Sequence, residues 1–204
     1  MSLSIVCLDL EGVLIPEIWI NFAESVKIDE LKLTTRDISD YDVLMKKRIG
    51  ILKENGLTLL DIQQVIEGMD PLPGAKEFLD ALRERTQVII LSDTFTQFAS
   101  PMMRKLGWPT LFCNTLETDA YGTVTGYRLR QQDGKKKAVK ALSSIGFSII
   151  AAGDSYNDVT MLKTADAGIF FRPPDTIIDE FPEIPVTREY SELLTAIEEA
   201  EEAL

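Results

Sequence analysis

Short apolar runs and longer stretches of helical periodicity alternate along this chain. Residues 4–10, 88–91, 110–113, 147–152 and 167–171 are mostly apolar and four to seven long, as strands buried on both faces should be. Between them, 17–26, 75–85, 95–106, 135–144 and 156–165 repeat apolar residues at helical spacing. Pro16 fits the first turn of the first helix, and Pro101 must start or kink the third. Strands alternating with helices in this way predict an α/β fold, a doubly wound, mostly parallel, Rossmann-like sheet covered on both faces.

Two stretches break the alternation. From 29 to 70 the pattern stays helical, with Asn55-Gly56 dividing it and Pro71-Leu72-Pro73-Gly74 closing it. We therefore expect a small helical cap over 15–71, inserted into a core made of 1–14 and 72–204. Residues 118–130 alternate around Tyr121-Gly122 and predict a β-hairpin excursion. The acidic segment 191–204 predicts a last helix with a solvated face.

Composition narrows the chemistry. The chain has no histidine, which removes Ser-His-Asp and Cys-His nucleophile systems and nearly all zinc-hydrolase ligand sets. Acid-base work falls to carboxylates, and metal chemistry to oxygen ligands, pointing to Mg²⁺. A formal net charge of −12 argues against a nucleic-acid partner. No window approaches the roughly 18 consecutive apolar residues of a membrane span, so no membrane partner is expected and a cytoplasmic location is. Cys7 and Cys113 each lie within an apolar run and read as reduced core thiols.

The candidate chemistry sits where strands end. Asp9-Leu10-Glu11-Gly12 follows the first apolar run, and alternation puts Asp9 and Glu11 on one side of an extended backbone. Asp9 suits a nucleophile that takes up a phosphoryl group, and Glu11 an acid that protonates the leaving oxygen. Ser92-Asp93-Thr94 ends the second strand, able to hold a phosphate oxygen or simply to cap a helix. Gly153-Asp154-Ser155-Tyr156-Asn157-Asp158 ends a later one, and its two aspartates suit a hard divalent cation, although a helix start also welcomes acids. Lys135, first of a lysine triplet, can neutralise a phosphate and Asp9, or be solvated surface.

Taken together, Asp9 to Val13, Ser92, Lys135 and 153–158 resemble the haloacid-dehalogenase (HAD) superfamily of phosphohydrolases over almost the whole chain. The helical insertion resembles the cap of its phosphoserine phosphatases, and most closely their bifunctional branch, which also passes the phosphoryl group to homoserine. The resemblance implies a Mg²⁺-dependent phosphatase acting on phosphoserine through an aspartyl-phosphate. Asp9, the Glu11 carbonyl and Asp154 would hold the metal, and Asp158 would orient that shell. Glu17 would meet the substrate ammonium and Arg48 its carboxylate, with Ser92, Asp93 and Asn157 completing the substrate contacts. Two positions depart from the usual pattern: Glu11 stands where most of these phosphatases have a second Asp, and Ser92-Asp93-Thr94 replaces Ser-Gly-Gly. Both departures look like those of the bifunctional branch. A phosphotransferase to homoserine and a catalytically weak binding module of the same fold are the competing readings, and a homodimer is left open.

Overall fold

The computed structural model describes residues 3–34, 37–38 and 40–204. Strand β1 (Ser4–Leu8) is buried from Ile5 onward and forms the centre of the sheet, with Val6 and Leu8 in one apolar layer and Ile5 and Cys7 in the other. It pairs in parallel with β2 (Gln87–Phe95) on one side and β5 (Ser148–Gly153) on the other. With β3 (Thr110–Thr118), β4 (Val124–Arg128), β6 (Ala167–Phe171) and β7 (Val186–Thr187) the order is β4-β3-β2-β1-β5-β6-β7. Only the β3–β4 pair is antiparallel. The doubly wound, mostly parallel sheet expected from the alternation is present.

Helices cover both faces. The first layer holds α1 (Ile18–Val26), α4 (Ala75–Arg83) and α5 (Thr96–Lys105), through Phe22, Phe78, Leu79 and Phe98. The second holds α6 (Gly134–Ser144), α7 (Val159–Leu162) and α8 (Asp175–Glu180), through Val139, Leu162 and Ile177. Between α1 and α4 run a 3₁₀ turn at Asp29–Lys32, α2 (Tyr41–Glu54) and α3 (Leu59–Gly68), the last packed on α5. The helical reading of 29–70 is matched there; its part on Thr35, Arg36 and Ser39 lies outside the described residues.

Several expectations change in detail. Pro16 precedes the N-cap, Glu17, and so lies before α1 instead of in its first turn. Of the two places open to Pro101, the start of its helix or the interior, the structure has the interior of α5. The hairpin belongs to the main sheet, because β3 runs on to Thr118 and pairs with β4 at its edge. The helix expected at 156–165 is a 3₁₀ turn at Tyr156–Asp158 followed by four residues of α7. Its carbonyl end leans on β6, where a Cβ at Gly168 would lie 2.5 Å from the Leu162 oxygen. The final helix, α9 (Tyr190–Ala203), buries Leu193 and Ile197, and its Tyr190 hydroxyl donates to the Val13 carbonyl at 2.6 Å. It closes the core as well as facing solvent.

Candidate active site

Beyond Leu8 the pairing with β5 continues for one residue, Asp9 N–H donating to the Ala152 carbonyl at 2.9 Å. Asp9 is therefore fixed at the carboxyl rim of the central strand. The chain then turns through Gly12, whose φ of +81° favours glycine. A Cβ there would also lie 2.5 Å from the Asp154 carboxylate, so the glycine lets the β5 end close on the β1 end. Asp158 is seated the same way, against Gly153, where a Cβ would meet its Cγ at 2.4 Å.

Lys135, in the first turn of α6, joins these acids. Its Nζ lies 2.8 Å from Asp9 Oδ1 and donates to Asp158 Oδ1 at 2.7 Å. Asp9 Oδ1 also accepts from the Leu10 amide at 2.7 Å. Asp158 Oδ2 accepts from the amides of Asp154 and Ser155, each at 3.1 Å. Burial pushes the Asp9 carboxyl well above its ordinary range, with the Asp158 charge next and Lys135 opposing. Burial works to lower the Lys135 ammonium, but Asp158, then Asp9 and Asp93, outweigh it and hold it well above its ordinary value.

The opposite wall comes from α1 and α2. Glu11 turns toward α1, its Oε2 accepting from the Ile18 amide at 2.9 Å, so the helix start fixes the longer side chain. Burial pushes the Glu11 carboxyl up to about 8, and the Glu17 charge adds to this. Arg48 is buried on α2, its Nη2 donating to the Leu33 carbonyl at 2.7 Å. Burial lowers it to about 10, leaving it a cation at neutral pH. Ser92 Oγ accepts from the Thr94 amide at 3.2 Å, and Asn157 Nδ2 donates to Asp93 Oδ2 at 3.2 Å.

These residues enclose one cleft of about 340 Å³ at the carboxyl ends of β1, β2 and β5. A haloacid dehalogenase-like hydrolase family profile matches residues 3–166. The chain belongs to the haloacid dehalogenase-like hydrolases. It is 59% identical over 191 residues to phosphoserine phosphatase ThrH of Pseudomonas aeruginosa, covering 94% of this chain and 93% of that one. A phosphoserine phosphatase of Pseudomonas syringae pv. tomato is also 59% identical, over 94% of this chain and 81% of its own. The fold matches a crystal structure of phosphoserine phosphatase in apo form with a TM-score of 0.78, at 23% identity and over 95% and 98% of the two chains.

Within this hydrolase, nine of the ten residues singled out from the sequence line the cleft: Asp9, Glu11, Glu17, Arg48, Ser92, Asp93, Lys135, Asp154 and Asn157. Asp158 lies fully buried behind them. Sequence reasoning missed Trp19 and Tyr41, which also line it. Their signal was faint, since an aromatic on an amphipathic helix reads as core. Tyr41 donates its hydroxyl to the Asp93 carbonyl at 3.2 Å, tying α2 to the end of β2.

The donor set fits a hard cation. Asp9, Asp154 and Asp158 each offer a carboxylate oxygen within 4.8 Å of the others, and the Lys135 ammonium pairs with Asp9 and Asp158. Three carboxylates against one cation leave excess negative charge in a buried place, which an oxygen-ligated divalent ion offsets. Asp158 already has both oxygens engaged by protein donors, so Asp9 and Asp154 are the better direct ligands. Cys7 and Cys113 are free and buried, and no helix among the described residues is long and apolar enough to cross a membrane.

Proposed function

We propose that this hydrolase is a Mg²⁺-dependent phosphatase of O-phosphoserine that works through an aspartyl-phosphate on Asp9. The observation that carries the reading is the pairing of two unlike ends in one cleft. At one end Asp9, Lys135 and Asp154 suit a phosphoryl group, and at the other Glu17 and Arg48 suit an ammonium and a carboxylate. The names of the two Pseudomonas relatives support the same substrate.

Asp9 attacks phosphorus in line while the bond to the serine oxygen breaks. Glu11, kept protonated at neutral pH by burial, gives its proton to the leaving serine oxygen. In the second step Glu11 takes a proton from water, whose oxygen attacks phosphorus, releases inorganic phosphate and restores Asp9. Lys135 holds Asp9 against the approaching anion, and Ser92 with Asn157 orients the phosphate oxygens. Mg²⁺, held by Asp9, the Glu11 carbonyl and Asp154 with Asp158 orienting the shell, would neutralise charge on the phosphoryl group. Residues 15–71 act as the cap that excludes bulk water during the first step.

If an alcohol takes water's place in the second step, the same intermediate makes a phosphotransferase, with homoserine as the acceptor that the resemblance to the bifunctional branch implies. Free buried thiols suit a reducing cytoplasm. Incubation with O-phosphoserine and Mg²⁺, with and without homoserine, tests both activities. Phosphate release supports the phosphatase, and phosphohomoserine supports transfer. A panel of phosphorylated sugars and nucleotides hydrolysed faster than O-phosphoserine would overturn the substrate assignment.

A further inference from the structure

Among the described residues, Arg48 Nε is a buried side-chain polar atom that lacks a hydrogen-bond partner, and Arg48 lines the cleft. An unpaired buried N–H is costly unless an acceptor arrives. Arg48 is only 7% exposed and lines the cleft, so the orientation of its guanidinium depends on what packs against it.

The guanidinium packs against Trp19. The guanidinium carbon of Arg48 lies 4.5 Å from the centre of the Trp19 ring, and indole is the best aromatic partner for such a cation. The ring is itself fixed, edge to face, by Phe22 at 6.4 Å and by Phe98 at 5.5 Å. Phe98 belongs to α5, Trp19 to α1 and Arg48 to α2, so three side chains carry position from the sheet-packed layer out to the cleft wall. Leu33 O, holding Nη2 at 2.7 Å, then sets the rotation of the guanidinium within that plane.

We infer that Trp19 is a positioning residue for carboxylate recognition, its ring face fixing the plane in which the Arg48 Nε edge meets the carboxylate of an amino-acid phosphate. This rests on the proposed function, in which Arg48 takes that carboxylate. Trp19 acts through Arg48, not on the phosphoryl group. Its loss should therefore be felt by substrates that carry a carboxylate and not by an aryl phosphate.

The test compares Trp19→Leu and Trp19→Phe with wild type on O-phosphoserine and p-nitrophenyl phosphate. Losing the cation–π contact should raise KM for O-phosphoserine roughly 3- to 30-fold with kcat within about 2-fold. The aryl phosphate should be unaffected, and Trp19→Phe should fall between wild type and Trp19→Leu. Equal losses on both substrates, or an unchanged KM for O-phosphoserine, would overturn the inference. Emission provides a second arm that does not depend on turnover or on Trp19 variants folding. The chain has two tryptophans, and Trp108 is 61% exposed and outside the cleft, so Trp108→Phe leaves Trp19 as the only tryptophan. In that background, with excitation that selects tryptophan over tyrosine, Arg48→Ala should change the Trp19 emission, and O-phosphoserine should change it more than phosphoethanolamine, which lacks the carboxylate. An emission insensitive to Arg48→Ala sinks the pairing. Wild type that hydrolyses p-nitrophenyl phosphate but not O-phosphoserine refutes the proposed substrate instead, a result separate from the emission outcome.

Discussion

Lys135 Nζ lies 2.8 Å from Asp9 Oδ1, with each side chain only 6% exposed. A lysine from a helix start and an aspartate from a strand end are thus held as a buried ion pair, and Asp158 completes the arrangement from the far side. Lys135→Met should leave Asp9 and Asp158 without their shared cation. In EDTA this should lower stability by about 3 kcal/mol in urea melts, the usual scale for breaking a buried pair. Mg²⁺ should restore part of the loss by binding the folded form, and turnover should drop about 100-fold or more. A melt that is unchanged in EDTA would contradict the role assigned to the pair.

Asp9→Asn should remove turnover on the order of 1,000-fold or more while the fold survives, because the amide keeps the shape but cannot accept a phosphoryl group. Phosphate release from O-phosphoserine, beside a circular-dichroism spectrum, measures this. Substantial residual activity would exclude Asp9 as the nucleophile.

Arg48→Ala should act mainly on amino-acid phosphates. We expect kcat/KM for O-phosphoserine to fall about 100-fold, the scale of a lost charge-assisted contact, while p-nitrophenyl phosphate changes little. Comparable losses on both substrates would mean that Arg48 supports the fold of the cleft wall and does not grip a carboxylate.

Asp61 offers a test of pH dependence away from the cleft. Its Oδ2 accepts from the Thr58 hydroxyl and amide, each at 2.7 Å, closing a capping box at the start of α3. The hydroxyl, then the amide, hold the carboxyl below its ordinary range. A folded pKa below the unfolded one gives stability that is complete above about pH 4 and is lost as pH falls through the lower folded value. Asp61→Ala should therefore cost about 1 kcal/mol at pH 7. The gap to wild type should narrow as the pH falls below about 4, and urea melts along that range would show it. A constant gap would mean that the carboxylate charge plays no part in the cap.

Much of the sheet was readable because each core strand is a short apolar run. Strand ends were harder, and the reason is specific. At β2 the polar residues Ser92, Asp93 and Thr94 look like a loop, yet the backbone stays extended to Phe95 through a register shift against β3. The elements α8 and β7 gave no periodic signal, being six and two residues long. In α9, Leu193 and Ile197 look sparse among acids, but Tyr190 stacks on Phe78 and Phe171 at 5.1 and 4.7 Å and turns that edge inward.

The residues at the strand ends are legible from the pattern of apolar runs alone. Asp9, Glu11, Ser92 and Asp154 lie at or next to the ends of apolar runs, with Asp158 four residues past Asp154, and in a parallel sheet all such ends share one rim. Tertiary structure decided the other wall. Glu17, Trp19, Tyr41 and Arg48 sit on helices where charge and aromaticity alone are ordinary, and only the packing of α1 and α2 over the β1 and β2 ends brings them to the cleft. Local pattern reports which residues a strand delivers to its own end, whereas the meeting of a helix face with a distant strand depends on long-range burial that no short window contains.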